Sequence, residues 1–342
     1  MSGALAELVL LSVTGIAFGL GAALAVGVAV RLGAARIARV EPRSRARLLT
    51  VLGIAPLVLA LVGVAACVLP SVVAQLGSSY LGWPGDHCDH HDGHPHLCPF
   101  HLPEHGSPIG WLLLLSFAAW AIVRIGGELA AVRRGATLMT SLASLGGAAR
   151  EAHHEDDGGF AILDTEIVFA AATGLLRPVV WLSRGLILTL PRPELDAVLA
   201  HEHAHVRRLD ALRITLVRML WSLVPAALAR PLLVELGMAC EEACDREAAD
   251  AVGDPLIVAD AIVACTRAAR RCPTPELDLH RQSWAMSFGA VLTARRVRRL
   301  VDPATDRGPA AVSFLVGLAL LTLALAEPLH HAAETLLGLL LH

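Results

Sequence analysis

Lysine is absent from this 342-residue chain, so every basic side chain is an arginine. Charge of either sign is sparse, at 17% of residues against 55% hydrophobic, a balance that disfavours a purely soluble fold. The net charge of −3 provides no basic field, and no direct nucleic-acid contact is expected. Seven scattered cysteines exclude a secreted disulfide framework. Aromatics make up 4%, with a single tyrosine, Tyr80.

Long charge-free apolar runs are what the chain does have. A bilayer core of about 30 Å needs roughly 20 apolar helical residues. Leu8 to Val30, Leu48 to Leu76, Gly106 to Val123 and Gly308 to Ala326 meet or approach that length, with Arg124 placed to snorkel at the end of the third. The segment between the first two runs carries Arg31, Arg36, Arg39, Arg43, Arg45 and Arg47, whereas the segment between the second and third has no arginine. Arg124, Arg133 and Arg134 follow the third run, and Arg295, Arg296, Arg298, Arg299 and Arg307 precede the fourth. The positive-inside rule then places the 31–47 loop and the long 125–307 segment in the cytoplasm, with the N-terminus outside. The first run has no basic residue before it, so it reads as an anchor and not as a cleavable leader.

The expected organisation is a multi-pass α-helical membrane protein. Residues 1–125 hold three spans (about 8–30, 48–76 and 106–123) and an external loop at 77–105. Residues 126–307 form a cytoplasmic, mainly α (α+β) domain, and 308–342 a fourth span with a short external tail.

The chemistry concentrates in the cytoplasmic segment. Pro193 to His205 reads as a helix, with prolines at its entrance and Leu195, Val198, Leu199 and Val206 as an apolar stripe. His201 and His205 are four apart, so both imidazoles leave one face and can share a metal. Glu202 completes an H-E-x-x-H pattern. Zinc in such a site lowers the pKa of a bound water to about 7, and Glu202 is the base placed to take its proton. A second acidic helix follows, in which Glu241 and Asp245 are again four apart. One carboxylate can bind the metal while the other orients a ligand histidine. Glu242 competes with Glu241 as the ligand, because spacing leaves a register shift open.

Both ligand helices must lie on one side of the membrane, so the chain between them crosses it an even number of times. Ile214 to Met238 is apolar but interrupted by Arg218 and Arg230, and is too short for two crossings. It is expected to dip into the bilayer or lie against it. Oxyanion stabilisation needs a further donor, for which His280, Arg281 and Arg246 are candidates. Tyr80 falls on the opposite side of the membrane.

At these residues the sequence resembles the BlaR/MecR family of antirepressor membrane zinc peptidases. The likeness runs through Gly174-Leu175-Leu176-Arg177-Pro178, the His201 to His205 motif with Asp210 five residues on, and Glu241-Glu242-Ala243-Cys244-Asp245 with its E-x-x-C-D form. It ends at the arginine-rich stretch before the last span. The resemblance implies a gluzincin-like domain in a bacterial cytoplasmic membrane, with His201, His205 and Glu241 as zinc ligands and Glu202 as the base. It also implies a cytoplasmic protein substrate such as a transcriptional repressor, held as an added strand on a sheet edge. Strands are expected at Ile162 to Phe169 and Val179 to Ser183. The penicillin-binding domain of that family's β-lactam sensors has no counterpart in the 15 residues from Pro328 to His342.

The external loop is the second concentration of ligand-type residues. His87, His90, His91, His94, His96, His101 and His105 could bind zinc, copper or nickel, and Cys88 and Cys98 could pair in an oxidising compartment. Two other readings of the chain compete: an HtpX-like quality-control membrane protease, and a non-enzymatic metal-sensing membrane protein.

Overall fold

The computed structural model describes residues 3–81, 107–145, 149–151, 160–271, 289–302 and 311–335, with 325, 327, 330 and 334 excepted. The loop residues His87, Cys88, His90, His91, His94, His96, Cys98, His101 and His105 lie outside the described residues, as do His280 and Arg281.

Three helices are long and apolar enough to cross a membrane. These are α1 (Gly3–Ile37), α2 (Pro42–Leu81) and α3 (Pro108–Leu145). Each outruns its apolar stretch: the 38 residues of α3 span about 57 Å, nearly twice a bilayer core. Helices α1 and α2 form a hairpin through a tight turn, in which Glu41 accepts from the backbone N–H groups of Arg43 and Ser44 at 3.1 and 2.8 Å. Small residues let the pair close. A Cβ on Gly63 would stand 2.6 Å from the Phe18 ring. The fourth apolar run is described from Ala311 onward, as a helix over Ala311–Ala324 lying along α2, while Leu329 and Ala333 pack beside Leu10 and Cys67.

The apolar segment at 214–238 divides into two antiparallel helices. Helix α6 (Asp210–Trp221) turns at 222–225 into α7 (Ala226–Val252), and this hairpin leans on the spans. Its core comprises Val217, Trp221, Leu232 and Leu236 against Ala23, Val30, Ala46 and Leu49 of α1 and α2. The buried Trp221 indole donates to the Gly53 carbonyl at 2.8 Å, and a Cβ on Gly53 would meet Val217 at 2.6 Å. Arg124 serves this hairpin and does not snorkel at a helix end. Helix α3 continues past it, and Arg124 Nε donates to the Ser222 carbonyl at 2.9 Å, capping α6. Beside it Glu128 pairs with Arg218.

A four-stranded sheet has the order β1-β2-β4-β3: β1 (Ala149–Glu151), β2 (Phe160–Leu163), β3 (Ala170–Thr173) and β4 (Val179–Ser183). The β2–β4 pair is parallel; the outer pairs are antiparallel. The strand expected over Ile162 to Phe169 therefore ends at Leu163. Polar Asp164-Thr165-Glu166 turns the chain, with Thr165 N–H bonded to the Leu163 carbonyl at 2.9 Å. Strand β3 is three alanines and a threonine; alanine is a poor strand former, so only pairing to β4 makes it a strand. Gly174, at φ +109°, makes the β3–β4 turn, where a side chain would clash with the Arg177 carbonyl.

The sheet face formed by Val180 and Leu182 packs, through α4 (Arg184–Thr189), on Leu195 and Val198 of α5 (Arg192–Arg208). Helices α8 (Pro255–Arg271) and α9 (Gly289–Val301) close the other side through Ala197, Ala248, Val258, Ala261 and Leu300. We label the helix over Ala311–Ala324 α10.

Candidate metal centre

Helix α5 starts after Pro191, with Pro193 in its first turn, where the missing N–H costs nothing. Its His201 and His205 face the acidic half of α7. The two Nε2 atoms and the Glu241 carboxylate converge: His201 Nε2 to His205 Nε2 is 3.2 Å, and they lie 3.5 Å from Glu241 Oε2 and Oε1 respectively. A tetrahedral ion bound at about 2.0–2.1 Å requires ligand atoms about 3.3 Å apart, so these donors fit a small divalent cation.

The far side of each imidazole is held by a carboxylate. His201 Nδ1 lies 3.0 Å from Asp245 Oδ1, and His205 Nδ1 lies 3.1 Å from Asp210 Oδ2. An ionised carboxylate only accepts, so each Nδ1 carries a proton, and in the neutral ring that a metal requires each Nε2 lone pair points into the cluster. Asp210 reaches His205 because Leu209 adopts the left-handed conformation, at φ 52°. That single residue ends α5 and begins α6, at a steric cost of about 1–2 kcal/mol for a side chain with a Cβ. The Cys244 sulfur packs against the same edge, 3.3 Å from His205 Nδ1 and 3.5 Å from Asp210.

Arginines complete the frame. Arg296 of α9 grips both Asp245 oxygens at 2.6 and 2.8 Å and reaches Glu241 Oε2 at 3.0 Å. Arg208 and Arg213 hold Asp210 at 3.1 and 2.7 Å. Burial works to raise the carboxyl pKa values, but the cations prevail: Arg296 with the imidazoles keeps Glu241 well below the usual range. Asp245 is lowered by the same guanidinium, and Asp210 falls to about 2 through His205 and its arginines. Burial opposes the His205 cation, yet the ring is driven well above its ordinary value by the neighbouring Cys244 sulfur, Asp210 and Glu241. Burial pushes the Cys244 thiol up to about 11, so it is uncharged at neutral pH and the carboxylates carry that effect. Arg208, Arg213 and Arg296 balance the three ionised carboxylates, and the two Nε2 atoms with the Glu241 oxygens are the donors that a cation would meet.

Glu202 is half-buried beside His201 and forms no hydrogen bond or ion pair among the described residues. Glu242 does not join the cluster. It is fully buried on another face of α7, against Arg45 at 2.6 Å and Arg295 at 2.8 Å. Arg246 turns outward to Asp250, at 3.4 Å. Tyr80 is close to the end of α2 remote from Arg45, about 50 Å along the helix. Sequence reasoning missed Arg296 and the role of Asp210. The arginines before the last span read as orientation signals, and Asp210 follows a leucine that gives no hint of a left-handed turn.

Residues 141–271 match the model for Peptidase family M48. That segment contains the sheet, both motif helices and the hairpin between them, and the match supports a metallopeptidase of the M48 family. The match suggests a metallopeptidase, and three helices long and apolar enough to cross a membrane are consistent with membrane association. Neither the curated proteins nor the solved structures yield a match.

Proposed function

We propose that this protein is a membrane-embedded, zinc-dependent endopeptidase acting on a cytoplasmic protein. The observation that carries the reading is the convergence of His201 Nε2, His205 Nε2 and a Glu241 carboxylate at 3.2–3.5 Å, with each imidazole anchored from behind. Two imidazoles and one carboxylate suit zinc, which when bound supplies Lewis acidity toward a peptide carbonyl and lowers the pKa of water. Asp245 and Asp210 fix the tautomer and aim of the two rings, and Arg296 holds Glu241 and Asp245 together. Glu202, one residue from a ligand and unpaired among the described residues, accepts a proton from the attacking water and delivers it to the leaving amine nitrogen. Strand β3, at the sheet edge and packed on α5, offers backbone groups on which an extended substrate adds as a further strand.

The arginine distribution supports a cytoplasmic site, and a contact agrees with it. Arg43 and Arg45 of the first inter-span turn reach Glu247 and Glu242 of α7, so two segments assigned to the cytoplasm touch each other. The E-x-x-C-D likeness points to a transcriptional repressor as the substrate class. The histidine-rich loop at 77–105 is proposed as an external metal-binding segment, and affinity weaker than about micromolar for copper and zinc in equilibrium titration would end that assignment.

The test is Glu202→Gln in the full chain. Zinc content should persist while cleavage is lost, and unchanged function in cells would favour a non-enzymatic metal-binding role. Comparing the proteome of that variant with wild type identifies the substrate class. A single DNA-binding protein that is no longer cut supports the repressor reading, and many membrane-protein fragments support an HtpX-like quality-control protease.

A further inference from the structure

Two adjacent glutamates on α7 face different partners. Glu241 faces the imidazoles and Arg296, whereas Glu242, about 100° further around the helix, enters a cage of three arginines. Arg45 Nη2 lies 2.6 Å from Glu242 Oε2, Arg295 Nε lies 2.8 Å from Oε1, and Arg299 Nε stands 3.9 Å from Oε2. Helix α9 contributes to both sides, since Arg295 serves Glu242 and its neighbour Arg296 serves Glu241. The third guanidinium comes from the membrane hairpin. Arg45 is in the first turn of α2, 197 positions from Glu242, and both side chains are 0% exposed. Arg45 also donates to the Ala38 carbonyl, at 3.3 Å, and Arg299 bonds the same carbonyl, so the α1–α2 turn, α9 and α7 meet at one point.

A fully buried carboxylate is tolerated only where cations compensate it. Arg295 is also held by Glu235, at 2.8 Å, but Arg45 has its ion pair with Glu242. Rotating α7 to present Glu242 to the histidines would strip it of the arginines and leave the buried Arg45 without that carboxylate, so the cage opposes the rotation. We propose that Arg45 is a positioning residue for the metal site: by holding Glu242 it sets the rotation of α7 that offers Glu241, and not Glu242, to His201 and His205. The α1–α2 membrane hairpin is thereby a working part of the peptidase, and displacement of α2 against α7 is felt at the metal ligand. This inference rests on the reading that His201, His205 and Glu241 bind the metal.

The test uses the full chain in detergent, loaded with Co²⁺ for its visible spectrum and titrated with Zn²⁺ against a chelator. Arg45→Met should weaken zinc binding about tenfold and shift the cobalt bands, as loss of outer contacts to metal ligands does elsewhere. Arg45→Lys should recover most of the affinity. Arg45→Met combined with Glu242→Gln should lose less than the two single effects together, because each removes the other's partner. A folded Arg45→Met protein with a lowered unfolding temperature but wild-type affinity and spectrum overturns the positioning role. If Arg45→Met does not fold, the isosteric Glu242→Gln decides, and an unchanged zinc affinity and cobalt spectrum there refute the proposal. Failure of the unmodified chain to bind cobalt sinks the metal reading itself, and this inference with it.

Discussion

Asp210→Asn isolates the contribution of one carboxylate with little change in shape. Asp210 is 1% exposed and carries three partners, His205 Nδ1 at 3.1 Å, Arg208 Nε at 3.1 Å and Arg213 Nη1 at 2.7 Å. The surrounding cations lower its pKa from 3.8 to about 2, which corresponds to about 2 kcal/mol of stability at neutral pH. Because the folded-state value is depressed, this stabilisation is fully present above about pH 4 and disappears as the pH falls through about 2. The metal-free Asn variant should therefore be less stable than wild type by about 2 kcal/mol at pH 7, and the two should converge between pH 4 and 2. The same change weakens the anchor of His205, so zinc affinity should fall about 10- to 100-fold. Thermal unfolding of the metal-free protein across that pH range, together with chelator competition at pH 7, measures both. Equal stability at pH 7 and an unaltered zinc affinity would show that Asp210 does not anchor His205.

Glu202→Gln should reduce turnover by about 10²–10⁴-fold while leaving metal content intact, as read from peptide cleavage and elemental analysis. Chelation should abolish cleavage and lower the unfolding temperature, with both restored by added zinc; a temperature independent of metal would argue against a site formed by the folded chain. Gly53→Leu forces side-chain atoms into Val217, whose Cγ1 already stands 2.6 Å from the position of a Cβ, and should destabilise the protein by about 1–3 kcal/mol in thermal unfolding. Gly126→Ala, where nothing lies within 4 Å, should not destabilise it and serves as the control.

Much of the local architecture was legible because it repeats along the chain. Charge-free runs long enough for a bilayer mark α1, α2 and α3, and the i, i+4 spacings of His201 with His205 and of Glu241 with Asp245 put each pair on one helical face. The interrupted apolar stretch at 214–238 likewise signalled something other than a simple span, and it is a hairpin against α1 and α2.

What spacing left open was decided by partners distant in sequence. Glu241 and Glu242 are equivalent by composition; Arg45, Arg295 and Arg299 draw one away, and the other faces the histidines. Arg296 resembled its neighbours as an orientation signal until α9 was set beside α7, and Asp210 acquires its role from a left-handed Leu209 that no helical periodicity announces. Strand β3 exists because β4 supplies its hydrogen bonds. Backbone periodicity is a property of neighbouring residues and can be read one segment at a time. The pairing of buried charges and the satisfaction of strand edges depend on which segments meet, and only the folded chain determines that.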